Sequence, residues 1–234
     1  MIFLVTDTSG KNGSVALARA SEGSDVVELM EEAPLSGGTF SAQLVPQVAA
    51  LLARHGLSKS DVGAFVVVSG PGSFTGLRVG LAAVKGLAEI LQKPIVAVSL
   101  LEAVALAART TGRVTTGRVT AALDGGRGEV YVGEYEVAGE SVQLLRERLL
   151  SKADFLSAAR GSAVSTPDKT LDGVAQEAAQ EAGLSVFTSE FPGSAMIARL
   201  GWKKMRAGET VTPDQLEANY IRRTDAELFL KPSF

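Results

Sequence analysis

The sequence predicts an α/β protein built as two related halves, each with a mixed sheet flanked by helices, divided near residue 100. A strand, a polar turn opening on aspartate and a returning strand occur twice, at Asp7 and again at Asp124. After each such unit the apolar residues change to helical spacing, so strands give way to helices in both halves. A third feature, the run from Ser69 to Gly80, joins an apolar strand to a helix through a glycine-rich turn.

The elements follow in order. Ile2 to Thr6 is a compact apolar strand, Asp7 to Gly13 a tight polar turn, and Ser14 to Ala20 the returning strand, with Val26 to Glu31 as a third. Asn12-Gly13 is a hairpin signal, because both residues favour positive φ. Pro34 to Thr39 reads as loop. From Ser41 to His55 the residues Leu44, Val48, Leu51, Leu52 and His55 recur at helical spacing. Pro46 must sit near the start of that helix or kink it, and Gly56 ends it. The strand Ala64 to Val68 enters the glycine-rich turn, and the helix beyond runs to Leu91 before Gln92-Lys93-Pro94 stops it. Ile95 to Val98 is a short buried strand and Leu100 to Arg109 a helix. Thr110 to Arg118 connects to the strand Val119 to Leu123, followed by strands at Glu129 to Val137 and Val142 to Leu150. Lys152 to Ala182 is polar with weak helical character, and Ala195 to Arg206 is an amphipathic helix. From Val211 onward, with Pro213 and Pro232, the pattern predicts the least ordered segment.

Composition narrows the function classes. A formal net charge of -3 over 234 residues argues against a generally basic nucleic-acid binder. There is no cysteine, hence no disulfide, thiolate nucleophile or cysteine-ligated zinc. The single histidine, His55, excludes any site that needs two imidazoles from one chain, and nothing places a nucleophile beside it. The apolar N-terminus reaches Asp7 without a basic leader or cleavage signal, and the longest apolar segment, Leu77 to Leu91, carries Arg78, Lys85 and Glu89. The chain reads as soluble and cytoplasmic, with no membrane contact.

Two sets of residues could carry chemistry. Asp7 and Asp124 each open a turn between strands, where a carboxylate can hold a metal–phosphate complex while Ser, Thr and Gly backbone groups face the phosphates. Aspartate also favours turns simply by bonding its own backbone. The glycine run has the spacing G-x-G-x-x-x-G, which is not a dinucleotide fingerprint, and no Gly-Lys-Ser/Thr follows to make a phosphate loop. Gly72, Gly76 and Gly80 recur every four residues, which aligns them on one helical face and lets another backbone come close. Arg78 and Lys85 on the same helix read as solvated or ion-paired cations.

Asp7-Thr8-Ser9, the glycine-rich run through Gly80, Lys85-Gly86-Leu87-Ala88 and the stretch from Asp124 to Tyr131 occur in an order and spacing that closely resemble the TsaB (YeaZ) family. Asn219-Tyr220-Ile221-Arg222 resembles a degraded form of the family's terminal Pro-x-Tyr-x-Arg segment. The resemblance implies a duplicated actin/sugar-kinase/heat-shock ATPase (ASKHA) fold, with subdomains 1–100 and 101–234 and a final helix packed back on the first. It implies a non-catalytic partner of the paralogous TsaD, joined by the ATPase TsaE, in threonylcarbamoylation of adenosine 37 of tRNAs reading ANN codons. The tRNA is then reached through the complex, and a homodimer forms when the chain is alone. No metal or cofactor is implied, with ATP or ADP only at the partner junction.

The family's contact surface comes from its first two helices. Carried onto this chain it comprises Ser41, Leu44, Val48, Leu51, Gly72, Thr75, Gly76, Arg78, Val79, Gly80 and Ala83, with the glycines as the flat side against TsaD. On that basis Gly76→Leu or Gly80→Leu removes partner binding and leaves a folded monomer. Asp7, Thr8, Ser9 and Asp124 become vestigial nucleotide-binding positions. Two departures bear on this: Phe40-Ser41-Ala42 stands where the family usually has His-Ser-Glu, and Asp124-Gly125-Gly126 where it has Asp-Ala-Arg. Both weaken nucleotide handling by this chain alone. The alternative is a small-molecule kinase or ATPase of the same fold using Asp7 and Asp124.

Overall fold

The computed structural model describes residues 1–112, 114–139, 141–182 and 185–222. It divides the chain into two units, and Pro232 of the predicted tail lies outside the described residues. The first unit takes Met1–Ala103 and regains Phe191–Ala218. It holds β1 (Ile2–Asp7), β2 (Asn12–Ala20), β3 (Val27–Ser36), α1 (Phe40–Arg54), β4 (Val62–Gly70), α2 (Phe74–Leu91) and β5 (Ile95–Ser99), and later α6 (Ser194–Arg206). The five strands are ordered β3-β2-β1-β4-β5, antiparallel from β3 to β1 and parallel from β1 to β5.

The second unit contains most of α3 (Leu100–Thr110), then β6 (Thr116–Gly126), β7 (Glu129–Ala138), β8 (Ser141–Ser151), α4 (Lys152–Ala158), β9 (Ala163–Thr166), α5 (Lys169–Ala182) and β10 (Ser185–Thr188). Its sheet runs β8-β7-β6-β9-β10, again a three-strand meander followed by two parallel strands. The predicted duplication is therefore present strand for strand.

Burial explains the pattern. Nearly all of β4 is buried, as expected of a central parallel strand covered on both faces. On one face, Leu44, Val48, Leu51 and Leu52 of α1 join Leu77, Leu81, Val84 and Ala88 of α2 above Leu4, Val15, Leu17, Phe65 and Val67. On the other lies α6, whose Trp202 packs 5.4 Å from the Phe3 ring and donates its indole N–H to the Ser24 carbonyl at 2.8 Å. A Cβ on Gly201 would meet the Val66 methyls at 2.6 Å, so glycine there lets the helix lie against β4. The second core gathers Ala122, Val130 and Val132 with Phe155, Ala159, Val164, Leu171 and Ala175.

Several sequence expectations are corrected. Pro34 belongs to β3, opposite Ser14, and is tolerated because β3 is an edge strand. Asn12-Gly13 opens β2 rather than forming the turn; a Cβ on Gly13 would lie 2.6 Å from the Asp7 carbonyl, so close approach is what requires glycine there. The second hairpin does use a positive-φ pair, at Arg127 (55°) and Gly128 (80°). Gly72 precedes α2 and is not helical. Within the segment predicted as weakly helical lies β9, and β10 follows it; at four residues each they are too short to show a period. The tail from Val211 is ordered at its start, where Val211 bridges Ile95 and Leu216 is buried in the first core.

Lys204 of α6 ties that helix down. Burial opposes its charge, yet Glu102 at 3.2 Å and Glu209 at 3.0 Å outweigh it and hold its pKa above the ordinary 10.5. A raised pKa contributes stability below the unfolded value that is lost as pH rises through the folded one. Lys204→Met is expected to cost about 1–3 kcal/mol near neutrality. In urea unfolding the deficit relative to wild type should shrink as lysine deprotonates; a deficit unchanged by pH would assign it to packing.

Candidate functional site

The end of β1 and the start of α2 meet in the first unit. Asp7 is only 6% exposed, and its Oδ1 accepts from the Ser9 backbone N–H at 2.8 Å and the Ser9 hydroxyl at 2.6 Å. This is the bond of aspartate to the backbone two residues on that makes a local turn. Burial raises the Asp7 pKa above the usual carboxylate range; the two Ser9 bonds oppose this and nearby Glu32 adds to it. The native state thus holds the proton more tightly than the unfolded chain. Stability from this group is full below 3.8 and declines as pH rises through the folded value. Asp7→Asn keeps an acceptor for Ser9 and removes that decline. It should match or exceed wild type in thermal midpoint at neutral pH, with the difference vanishing towards acid. A large loss at neutral pH would mean the charge itself is needed.

The turn after Asp7 is covered by α2. Thr8 and Ser9 are 1% and 2% exposed, and the Ser9 carbonyl accepts from the Ser73 N–H at 2.6 Å. A Cβ on Gly72 would meet the Ser9 carbonyl oxygen at 2.3 Å, one on Gly76 the Thr8 carbonyl oxygen at 2.1 Å, and one on Gly80 the Thr8 Oγ1 at 2.2 Å. The backbone that the glycine row admits is this chain's own. Gly72, Gly76 and Gly80 therefore do not form a flat side towards a partner. Leu44, Val48 and Leu51 are likewise turned into the core, at 2%, 7% and 0% exposure.

What α1 and α2 leave outward is different. Ser41, Ala42, Val45, Pro46, Ala49 and Ala53 are exposed along one face of α1. Thr75, Arg78, Ala82, Gly86 and Ile90 are exposed along α2, with Val79 and Ala83 half-buried beside them. The two helices pack side by side. Nothing lies within 4 Å of a Cβ built on Gly86. Small and apolar residues so dominate this surface that Val45 is 54% and Ile90 75% exposed. Ser41, Thr75, Arg78, Val79 and Ala83 are the predicted contact residues that the structure brings together here. Residues missed were Ala42, Val45, Ala49, Ala82, Gly86 and Ile90. Their signal was available as the helical rows opposite Leu44-Val48-Leu51 and Leu77-Leu81-Val84.

At the N-terminal ends of both helices a cleft of about 610 Å³ opens, lined by Gly10, Lys11, Gly37, Gly38, Phe40, Ser41, Ser73, Thr75, Gly76 and Val79. Phe40, buried at 6% exposure, forms its apolar part. In the second unit, Asp124 repeats the local bond of Asp7, with Oδ1 accepting from the Gly126 N–H at 3.0 Å, but it is exposed. Its own N–H donates to Asp168 at 2.7 Å. The C-terminal Arg222 donates to the Gly125 carbonyl at 2.8 Å and pairs with Glu129. Among the described residues no three His, Cys, Asp or Glu side chains are grouped to hold a metal ion, and no helix is long and apolar enough to cross a membrane.

A family model described as TsaD, tRNA N6-adenosine threonylcarbamoyltransferase, matches residues 35–200. The tRNA threonylcarbamoyladenosine biosynthesis protein TsaB of Bacillus subtilis (strain 168) is 34% identical over 157 residues, which cover 67% of this chain and 65% of that protein. The chain thus spans a little under two thirds of that relative. The solved structure of YeaZ from Pseudomonas aeruginosa superposes with a TM-score of 0.71 at 28% identity, covering 94% of this chain and 99% of that one. A ROK family protein from Streptococcus pneumoniae TIGR4 has a TM-score of 0.54 at 7% identity, covering 89% of this chain and 100% of that one, and shares the fold alone.

Proposed function

The chain belongs to the TsaB (YeaZ) family of tRNA threonylcarbamoyladenosine biosynthesis proteins, within the wider family that the TsaD model describes, and from that premise we propose that it is a non-catalytic scaffold for TsaD. The duplicated ASKHA-like fold accords with this membership. In this reading the chain pairs with TsaD through the outer faces of α1 and α2, TsaE joins the pair, and the complex threonylcarbamoylates adenosine 37 of tRNAs reading ANN codons in the cytoplasm. The tRNA is reached through the assembly, and the same faces serve a homodimer when TsaD is absent.

One observation carries the proposal. Two adjacent helices present small and apolar residues outward while their larger apolar residues already fill the core. Such a face is covered in a working protein more often than left bare. The lone histidine supports a non-catalytic role, since two imidazoles cannot be assembled from one chain. The alternative of a kinase or ATPase using Asp7 and Asp124 has less support. Asp7 is committed to Ser9, and the backbone of Thr8 and Ser9 is shut beneath α2, where a phosphate would need open N–H groups. Any ATP or ADP is placed at the partner junction instead.

The deciding experiment mixes the purified chain with TsaD, TsaE, tRNA and the threonylcarbamoyl donor. Modification that requires the chain, together with a stable complex with TsaD, is the expected result. Full modification without it would sink the reading. Magnesium-dependent ATP binding by the isolated chain would favour the kinase.

A further inference from the structure

We propose, building on the docking reading above, that the α2 end of this surface recognises carboxylates on the partner protein, with Arg78 as its specificity-determining residue. The charge distribution points there. α1 carries no acidic side chain, and the only one on α2 is Glu89, close to its C-terminal end. Near the start of α2 the cations are Lys11, which lines the cleft, and Arg78, exposed on the outer row. Lys85, further along α2, is in electrostatic reach of Asp214, so its charge is already partly answered. In a chain whose formal charge is -3, this end is locally positive.

Arg78 is also held in place. Its guanidinium stacks 3.6 Å above the ring of Phe74, which is itself 39% exposed. A guanidinium fixed in plane on an aromatic ring loses less freedom on docking than one on a free stem. Its fork matches a carboxylate in two parallel bonds, and partly desolvated pairs of that kind set partner choice. The Ser41, Ser73 and Thr75 side chains beside the cleft add hydroxyl partners around an apolar floor at Phe40. Two clustered cations are few against the roughly 6–10 phosphate contacts of a salt-sensitive nucleic-acid grip. The occupant that fits is a protein surface bearing Asp or Glu side chains next to small apolar ones.

The test measures association of the full chain with purified TsaD at low and high salt for the wild type, Arg78→Met and Arg78→Lys. Circular dichroism first establishes that each variant is folded. For the wild type, the association rate should fall with salt. Arg78→Met should weaken binding by about tenfold or more and flatten the salt dependence. Arg78→Lys should restore the salt dependence but not the full affinity, because lysine keeps the charge and lacks the stacked fork. Wild-type binding matched by Arg78→Met at every salt would overturn the inference and leave the docking reading standing. No wild-type binding at all would overturn both. Loss of tRNA binding in Arg78→Met, with TsaD binding unchanged, would make this a nucleic-acid face and overturn the inference too.

Discussion

Leucine at Gly76 or Gly80 is expected to unfold the first unit, so that loss of partner binding in either variant reports a broken chain and not a broken interface. A Cβ at Gly76 falls 2.1 Å from the Thr8 carbonyl oxygen, a backbone atom with no rotamer to change. At Gly80 it falls 2.2 Å from Thr8 Oγ1, and Thr8 is itself buried. Even alanine at Gly76 must push the Asp7–Ser9 turn off α2, straining the Ser73-to-Ser9 bond that holds the two together. Overpacking of this kind costs about 3 kcal/mol or more. At this chain length the thermal midpoint would fall by roughly 10 °C. Thermal unfolding of Gly76→Ala and Gly76→Leu, followed by circular dichroism, checks this. A Gly76→Ala midpoint indistinguishable from wild type would show that the turn can move aside.

The same substitution ten residues along α2 should do the opposite. Gly86 is exposed, and a Cβ there meets nothing within 4 Å. An exposed glycine inside a helix costs about 1 kcal/mol relative to alanine, so Gly86→Ala and Gly86→Leu should leave the monomer at least as stable as wild type. Against a docked helix, however, leucine at Gly86 fills the space that close approach needs. TsaD affinity should drop by about tenfold or more, roughly 1.4 kcal/mol, while the free chain stays folded. Ala82→Leu, one turn earlier on the same row, should behave alike. Unchanged affinity in both variants would move the docking surface off the outer face of α2. Gly76 and Gly86 together separate fold from function with one kind of mutation.

Much of the architecture was legible in the residues. The Asp-headed strand pairs announced the duplication, and the apolar period placed α1, α2 and α6 within a residue or two. The two four-residue strands were not legible, because β9 and β10 draw their identity from the sheet that receives them and not from a pattern of their own. The site was legible only in part. A glycine row says that something comes close but not what, and here it is Thr8 and Ser9. Leu44, Val48 and Leu51 were carried to the partner by resemblance, although an apolar helical stripe is by itself a core signature. Asp7 and Asp124 look alike in sequence and share the bond to the backbone two residues on, yet one is buried and the other exposed. That difference comes from α2 lying over the first turn, which no local pattern encodes.

The position of α6 in the chain has a consequence for biosynthesis. Phe3 and Val66 are among the earlier residues to leave the ribosome, while Gly201 and Trp202, which cover them, come almost last, with Leu216 later still. Domains of nascent chains usually close from the N-terminus as they emerge. Here the amino-terminal sheet must wait, one face bare, until translation has passed the whole of the second unit. The nascent protein thus carries an apolar surface for most of its synthesis, and its first half matures only together with its last residues.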